Sequence, residues 1–198
     1  LATEETGIPL MAAIPEARRA LEDVGLADDV DLVVAGGIRN GGDVAKCLAL
    51  GAKAVALGTA ALMALNCNKH IEGVTDYEGT IGVPAGECYH CHTGRCPVGV
   101  ATQDVELRAR LDVDEAALRV YNYLHTLTME VQLLARACGK TDIHSLEPED
   151  LAALTHEAAA MAKVPLAGTT YIPGVSEERA LQEMKDMMAK QMAESGRN

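Results

Sequence analysis

Phenylalanine and tryptophan are both missing from this sequence, and five tyrosines make up its whole aromatic content. The interior therefore has to be assembled from alanine, leucine, valine and methionine, which suits close helix contacts better than a few large ring contacts. Long apolar runs are missing as well. No stretch approaches the roughly 18 residues of a membrane span, and Leu1-Ala-Thr-Glu-Glu has neither the basic nor the apolar part of a secretory signal. A soluble, cytoplasmic protein with no membrane partner is expected. Basic residues are scarce: 17 Lys and Arg stand against 29 Asp and Glu, a formal net charge of -12. That sign argues against a nonspecific nucleic-acid surface, so no nucleic-acid partner is expected.

What is present is concentrated in one place. Of six cysteines, Cys88, Cys91 and Cys96 fall within nine residues, and Pro97 follows at once. Soft thiolates with two and with four residues between them can converge on one ion or cluster, with Gly94 turning the loop and the proline stiffening its exit. Uneven spacing, the Cys-x-x-Cys pair and the apolar settings of Cys47 and Cys138 favour reduced thiols over disulfides. Three thiolates without an obvious fourth neighbour suit a three-iron cluster. His90 and His92 leave tetrahedral zinc open as the alternative, and Cys67 is a further thiolate that would permit a four-iron cluster.

Hydrophobic residues make up 48% of the chain, enough for a core. Pro9 to Ile14 reads as a strand or as the approach to a helix over 15–24. Val30 to Ala35 reads as a buried strand, 42–50 as a helix and 54–57 as a second strand, joined as parallel neighbours by a right-handed crossover. Two such strands alone leave apolar edges unpaired. An eight-stranded β/α barrel takes roughly 250 residues, so an α/β fold is expected in which this chain supplies the carboxyl-terminal part of a (β/α)8 TIM barrel, followed by a cysteine-rich loop and helices. The lack of a starting methionine, beside what reads as a mid-barrel element, suggests a piece of a longer chain.

Helices are expected beyond the cysteines. Asp112 and Glu115 resemble a capping box ahead of an apolar stripe of Leu118, Tyr121, Leu124, Leu127, Val131, Leu134 and Cys138. Pro148 is placed to start another helix bearing Leu151, Leu154, Ala158 and Met161. Residues 164–175 read as a loop, and Ser176 to about Glu194 as an amphipathic helix with Leu181, Met184, Met188 and Met192 on one side.

Gly36-Gly37 after the first strand and Gly58-Thr59 after the second have the composition of turns whose amides approach an anion. In β/α barrels the last two such loops commonly bind phosphate. Arg39 adds a cation and Thr59 a hydroxyl. Spacing alone equally allows glycines that only turn the chain.

Three separated motifs, Val34-Ala-Gly-Gly-Ile-Arg39, Leu57-Gly-Thr-Ala-Ala-Leu62 and Cys91-His-Thr-Gly-Arg-Cys96-Pro-Val-Gly-Val-Ala-Thr-Gln-Asp104, resemble the FMN-binding synthase domain of glutamate synthases, from about Ile8 to Tyr171. The resemblance implies FMN on Gly36, Gly37, Arg39, Gly58 and Thr59, and an iron-sulfur cluster, three-iron or four-iron, on Cys88, Cys91 and Cys96. In that family the first cluster cysteine closely follows the last strand, a place held here by Cys67. This sequence inserts residues 68–87 and then supplies Cys88, so the two compete for the first position. The resemblance further implies an oxidoreductase that makes L-glutamate from 2-oxoglutarate and ammonia through 2-iminoglutarate. Ammonia itself or glutamine, the latter through a glutaminase part, would supply the nitrogen, and the electrons would pass through the cluster to FMN.

The expected division is 1–66 for the last barrel units, 67–104 for the cysteine loop and 105–198 for a helical extension, with remaining barrel, glutaminase or reductase parts as partners. No catalytic acid, base or nucleophile is assignable. A noncatalytic electron-transfer subunit and a zinc-stabilised interaction domain are the rival readings.

Overall fold

The computed structural model describes residues 7–67 and 91–176, together with Glu178, Leu181, Gln182, Met184 and Lys185. They divide into two compact units: Leu1–Val34, Val44–Val55 and Leu134–Asn198 form one, and Ala35–Asp43 with Ala56–Leu133 form the other. The elements in chain order are α1 (Leu10–Asp23), β1 (Val33–Ala35), α2 (Gly41–Ala49), β2 (Ala54–Ala56), α3 (Thr59–Ala64), α4 (Val105–Arg108), α5 (Val113–Ala137) and α6 (His156–Ala162). Single 3-10 turns cover Cys91–Thr93, Ile143–Ser145 and Pro148–Asp150. This is a mixed α/β chain, as its sequence suggests.

In the first unit the run from Leu10 to Ile14 is the opening of α1 and not a strand. The amides of Ala12 and Ala13 both bond the Pro9 carbonyl, so the helix is under way before Pro15, and Ile14 points into the core at 1% exposure. Strands β1 and β2 pair in a two-stranded sheet. The amides of Lys53 and Ala54, at the start of β2, bond the carbonyl of Leu32, at the start of β1, so start meets start and the strands run parallel. The connection is α2, whose Cys47, Leu48 and Ala49 are buried. Cys47 is the packing residue its position suggested. Helix α1 packs on α6.

The helix expected from Pro148 is shorter than its pattern implied. Glu147 and Asp150 close a reciprocal capping box around one 3-10 turn. The chain then extends so that Ala153 forms a parallel bridge with Leu166. Ala153 gives its amide to Pro165 and takes the Ala167 amide, and groups spent there are unavailable to a helix. A helix resumes only at α6, capped by Thr155, and Leu154 is 87% exposed. Val175, Ser176 and the five described residues beyond them are helical, with Leu181 and Met184 exposed; Met188 and Met192 lie outside the described residues.

The second unit is organised by α5. Asp112 Oδ1 accepts from the Glu115 amide at 3.0 Å, which gives the forward half of the expected capping box. The helix is rotated from the predicted stripe. Of the predicted stripe Leu127 and Val131 are buried, with Ala116 beside them, while Leu118, Tyr121, Leu124 and Leu134 are exposed, as is Cys138 just past the helix end. The reason is a close approach: a Cβ added to Gly41 would lie 2.6 Å from Glu130 Cβ and 2.7 Å from the Leu127 carbonyl oxygen. Contact at that distance fixes which edge of α5 faces inward, whichever residues along it are largest. Among the described residues no helix is long and apolar enough to cross a membrane.

Gly41→Ala should therefore destabilise the 198-residue chain by about 1–3 kcal/mol, since backbone on both sides has to move. Gly42→Ala, whose added Cβ meets only the Asn40 side chain at 3.2 Å, should cost less. Urea unfolding of the two variants measures the difference, and equal midpoints would contradict the packing described.

Candidate functional site

Because the strands run parallel, both following loops leave the same edge of the sheet. Ala35 to Asp43 and everything from Ala56 to Leu133 belong to one unit, so Gly36, Gly37, Arg39, Gly58 and Thr59 are all housed together. Gly36 and Gly37 have φ of 132° and 65°, a region that residues with a Cβ enter only under strain. A Cβ on either would meet nothing within 4 Å. The glycines are thus required by backbone conformation, and the space in front of them is open. Ile38, buried at 6% exposure, anchors the turn between them and the exposed Arg39.

Arg39 is held at its base. Its amide and its Nε both donate to Asp43 Oδ2 at 3.2 Å, and the guanidinium side chain is 76% exposed against 14% for Asp43. The amino end of α2 is already satisfied: Asn40 Oδ1 accepts from the Asp43 amide at 2.9 Å and Glu130 Oε2 accepts from the Gly41 amide at 2.6 Å. The second loop differs. Gly58 starts α3 with no side chain capping it, and a Cβ there would also meet nothing within 4 Å. The first amides of a helix are orphan donors with a favourable dipole for an anion. Gly58-Thr59, with no capping side chain among the described residues, the Gly36-Gly37 turn and the Arg39 guanidinium thus belong to one unit.

Sequence reasoning missed the groups that hold this arrangement from behind. Tyr123 donates its hydroxyl proton to the Arg39 carbonyl at 3.0 Å, and Arg119 Nε donates to the Ala64 carbonyl, at the end of α3, at 3.2 Å. Burial, and then the charge of Asp43, push the Tyr123 phenol above its ordinary value near 10, so it stays a donor. The only signal was spacing: 119, 123 and 130 recur along one helical line, hidden among the apolar positions.

The cysteine loop is built by local bonds. Cys91 opens a 3-10 turn and is exposed, Gly94 turns the chain with φ of 72°, and Cys96 is buried at 5% exposure beside buried Pro97 and Val98. Thr102, itself buried, donates its hydroxyl to the Gly94 carbonyl and accepts the Asp104 amide at 3.1 Å. Asp104 then caps α4 through the amides of Glu106 and Leu107. Arg110 Nη1 donates to the Pro97 carbonyl at 3.1 Å. At Gly99, a Cβ would lie 2.5 Å from the Leu107 carbonyl oxygen, so this loop is folded tightly against α4.

Cys67 has a fixed backbone too. Its amide bonds the Leu62 carbonyl and the Asn66 amide bonds that of Met63, with Asn66 left-handed at φ 70°, a Schellman cap on α3. Cys88 lies outside the described residues. Among the described residues no three His, Cys, Asp or Glu side chains converge as a metal site, so Cys67, Cys91 and Cys96 are not gathered by themselves. Cys91 and Cys96, one exposed and one buried, are two sulfur donors held in one braced loop.

Comparison with known proteins was made against this geometry. The family model described as the conserved region in glutamate synthase matches residues 1–141, which takes in both glycine loops, the cysteine loop and α5. Over 172 residues the chain is 55% identical to a glutamate synthase large subunit-like protein of Rhizobium meliloti, covering 86% of this chain and 38% of that protein. It is 38% identical over 143 residues to an archaeal glutamate synthase (NADPH) of Methanocaldococcus jannaschii, covering 72% of this chain and 24% of the relative. A related protein of Dehalococcoides mccartyi, an archaeal-type glutamate synthase (NADPH), is 36% identical over the same length. The chain thus spans between a quarter and two-fifths of the length of these relatives.

The loop geometry separates the thiols by access. In the cluster-free chain, Cys91 and Cys138 should react rapidly with an aromatic disulfide reagent, and Cys96 and Cys47 at least about tenfold more slowly. Thr102→Val, which removes the brace to Gly94, should accelerate Cys96 alone. Mass mapping of the modified peptides checks this, and equal rates for Cys91 and Cys96 would show that the loop is not closed as described.

Proposed function

The chain belongs to the glutamate synthase family, and from that premise we propose that it is the phosphate-binding and cluster-bearing part of an FMN-dependent synthase domain. The observation that carries the reading is the pair of strand-end turns, both open in front and both leaving the same edge of a parallel pair. On this reading β1, α2, β2 and α3 are late units of a (β/α)8 barrel whose other strands cover the exposed faces of Val33 and Ala54.

Gly36, Gly37, Gly58 and Thr59 would hold the FMN phosphate through backbone amides, with Arg39 adding charge. Cys91 and Cys96 would ligate an iron-sulfur cluster with Cys88, and Cys67 is the rival first ligand or a fourth. When bound, the two groups supply hydride and single-electron chemistry, and the protein supplies binding and orientation. The whole enzyme would form L-glutamate from 2-oxoglutarate and ammonia, the ammonia being released from glutamine elsewhere. The ring-contacting side of the flavin pocket would come from earlier strands, so this chain by itself should not make glutamate.

Arg39→Ala should raise the FMN dissociation constant of the holoprotein roughly three- to tenfold, at the low end for a charge-assisted bond because the side chain is exposed and shared with Asp43. Replacing Gly58 by Val should do at least as much. Fluorescence titration of flavin measures both, and wild-type affinity in both variants would remove the phosphate assignment.

For the cluster, iron and acid-labile sulfide are counted after anaerobic purification. Serine at position 91 or 96 should abolish or convert the cluster, and serine at 47 or 138 should leave it intact. Loss with Cys67→Ser together with retention in Cys88→Ser would move the first ligand to Cys67. Stoichiometric zinc without iron or sulfide would reject the redox role.

A further inference from the structure

Two side chains of α5 reach the loop that follows the first strand, and a third reaches the far end of the helix that follows the second. Arg119 Nε bonds the Ala64 carbonyl at the end of α3, the Tyr123 hydroxyl bonds the Arg39 carbonyl, and Glu130 Oε2 takes the Gly41 amide. Positions 119, 123 and 130 are four and seven residues apart, about one and two helical turns, so the three stand in line along the helix. Where α5 passes α3 it leaves an open cleft of about 480 Å³, lined by Ala60, Met63, Ala64, Arg119, Asn122 and Tyr123.

Every one of these bonds ends on a backbone atom of a loop or helix end. Gly36 and Gly37 offer no side chain by which the first turn might be packed, and Arg39 and Asn40 are exposed. A glycine turn is conformationally loose unless something fixes its ends. The near end is continuous with β1, and Ile38 is buried just past the glycines. The far end is fixed by Tyr123 and Glu130, whose partners, Arg39 and Gly41, lie two residues apart on the strand-to-helix passage.

We propose that Tyr123, supported by Glu130, is a positioning residue for the flavin phosphate, with α5 acting as a bar that holds the first phosphate loop and, through Arg119, the far end of α3. This rests on the flavin reading given above. The Tyr123 hydroxyl acts through the Arg39 backbone and touches no ligand itself. Because α5 follows the cysteine loop directly in the chain, through the Asp104-capped α4, the same bar also links the segment that bears the cluster to the segment that bears the phosphate.

The test is Tyr123→Phe in the holoprotein, which deletes one hydroxyl and keeps the ring. The FMN dissociation constant should rise about three- to tenfold, the loss expected for one hydrogen bond. Iron and sulfide content should stay unchanged, and in flavin-free protein the amides of residues 37–42 should exchange faster. Combined with Arg39→Ala, the rise should fall short of the product of the two single effects, because both act on one loop. If Arg39→Ala weakens FMN while Tyr123→Phe changes neither affinity nor exchange, the positioning role is overturned and the flavin reading stands. If exchange accelerates in Tyr123→Phe but neither variant changes FMN affinity, the loop is not a phosphate loop, and both readings fall.

Discussion

The contact between the Gly41 amide and the Glu130 carboxylate is the constraint on which the second unit depends. It is possible only because position 41 lacks a Cβ: the space that atom would occupy is filled by Glu130 and by the Leu127 carbonyl. A backbone-to-carboxylate bond of 2.6 Å, partly shielded from water, is a charge-assisted interaction at a helix start, where the dipole adds to it. It settles the rotation of α5, and rotation settles which of its side chains face the strand-end loops. Tyr123 then falls opposite Arg39, and Arg119 opposite the end of α3, without further requirement.

That geometry explains both what was legible in the sequence and what was not. The strand ends were legible, because a Val-rich run stopping at Gly36-Gly37 and a second stopping at Gly58 combine period and punctuation in a way few alternatives share. The extent of α5 was legible from Asp112 to Gly139, since caps are local chemistry. Its rotation was not. Counting apolar residues put Leu127 and Val131 correctly on the buried seam, but it put the exposed Leu118, Tyr121, Leu124 and Leu134 beside them and left out buried Ala116. Only a contact 89 residues away in sequence, that of Gly41 with Glu130, decides the matter.

The segment after Pro148 went astray for a related reason. Its propensity is helical, but Ala153 gives both of its backbone groups to the 165–167 stretch, and a nonlocal bridge outweighs a local preference. Cys138 was placed on a packing face by the same extrapolation that misjudged the α5 stripe, and it is exposed. For the cysteine loop, spacing identified the type of site, but the brace from Thr102 to Gly94 that keeps Cys96 inside has no sequence signal beyond a threonine eight residues downstream.

The distribution of charge around the two loops gives the candidate phosphate site a direction. At the first loop Asp43 and Glu130 stand against the start of α2, with Asp43 countering Arg39 and Glu130 taking the leading amide. An anion approaching that helix start meets a carboxylate already in place, and two like charges at a few ångströms repel even when partly screened. At the second loop no side chain caps α3. In a chain whose net charge is -12, long-range attraction for an anion is lacking, so selectivity has to come from such short-range differences. The proposed phosphate is then directed toward the Gly58-Thr59 amides, with Gly36-Gly37 and Arg39 closing around it from the side. On that proposal, the carboxylates of Asp43 and Glu130 would make the start of α2 the less favourable end for the phosphate.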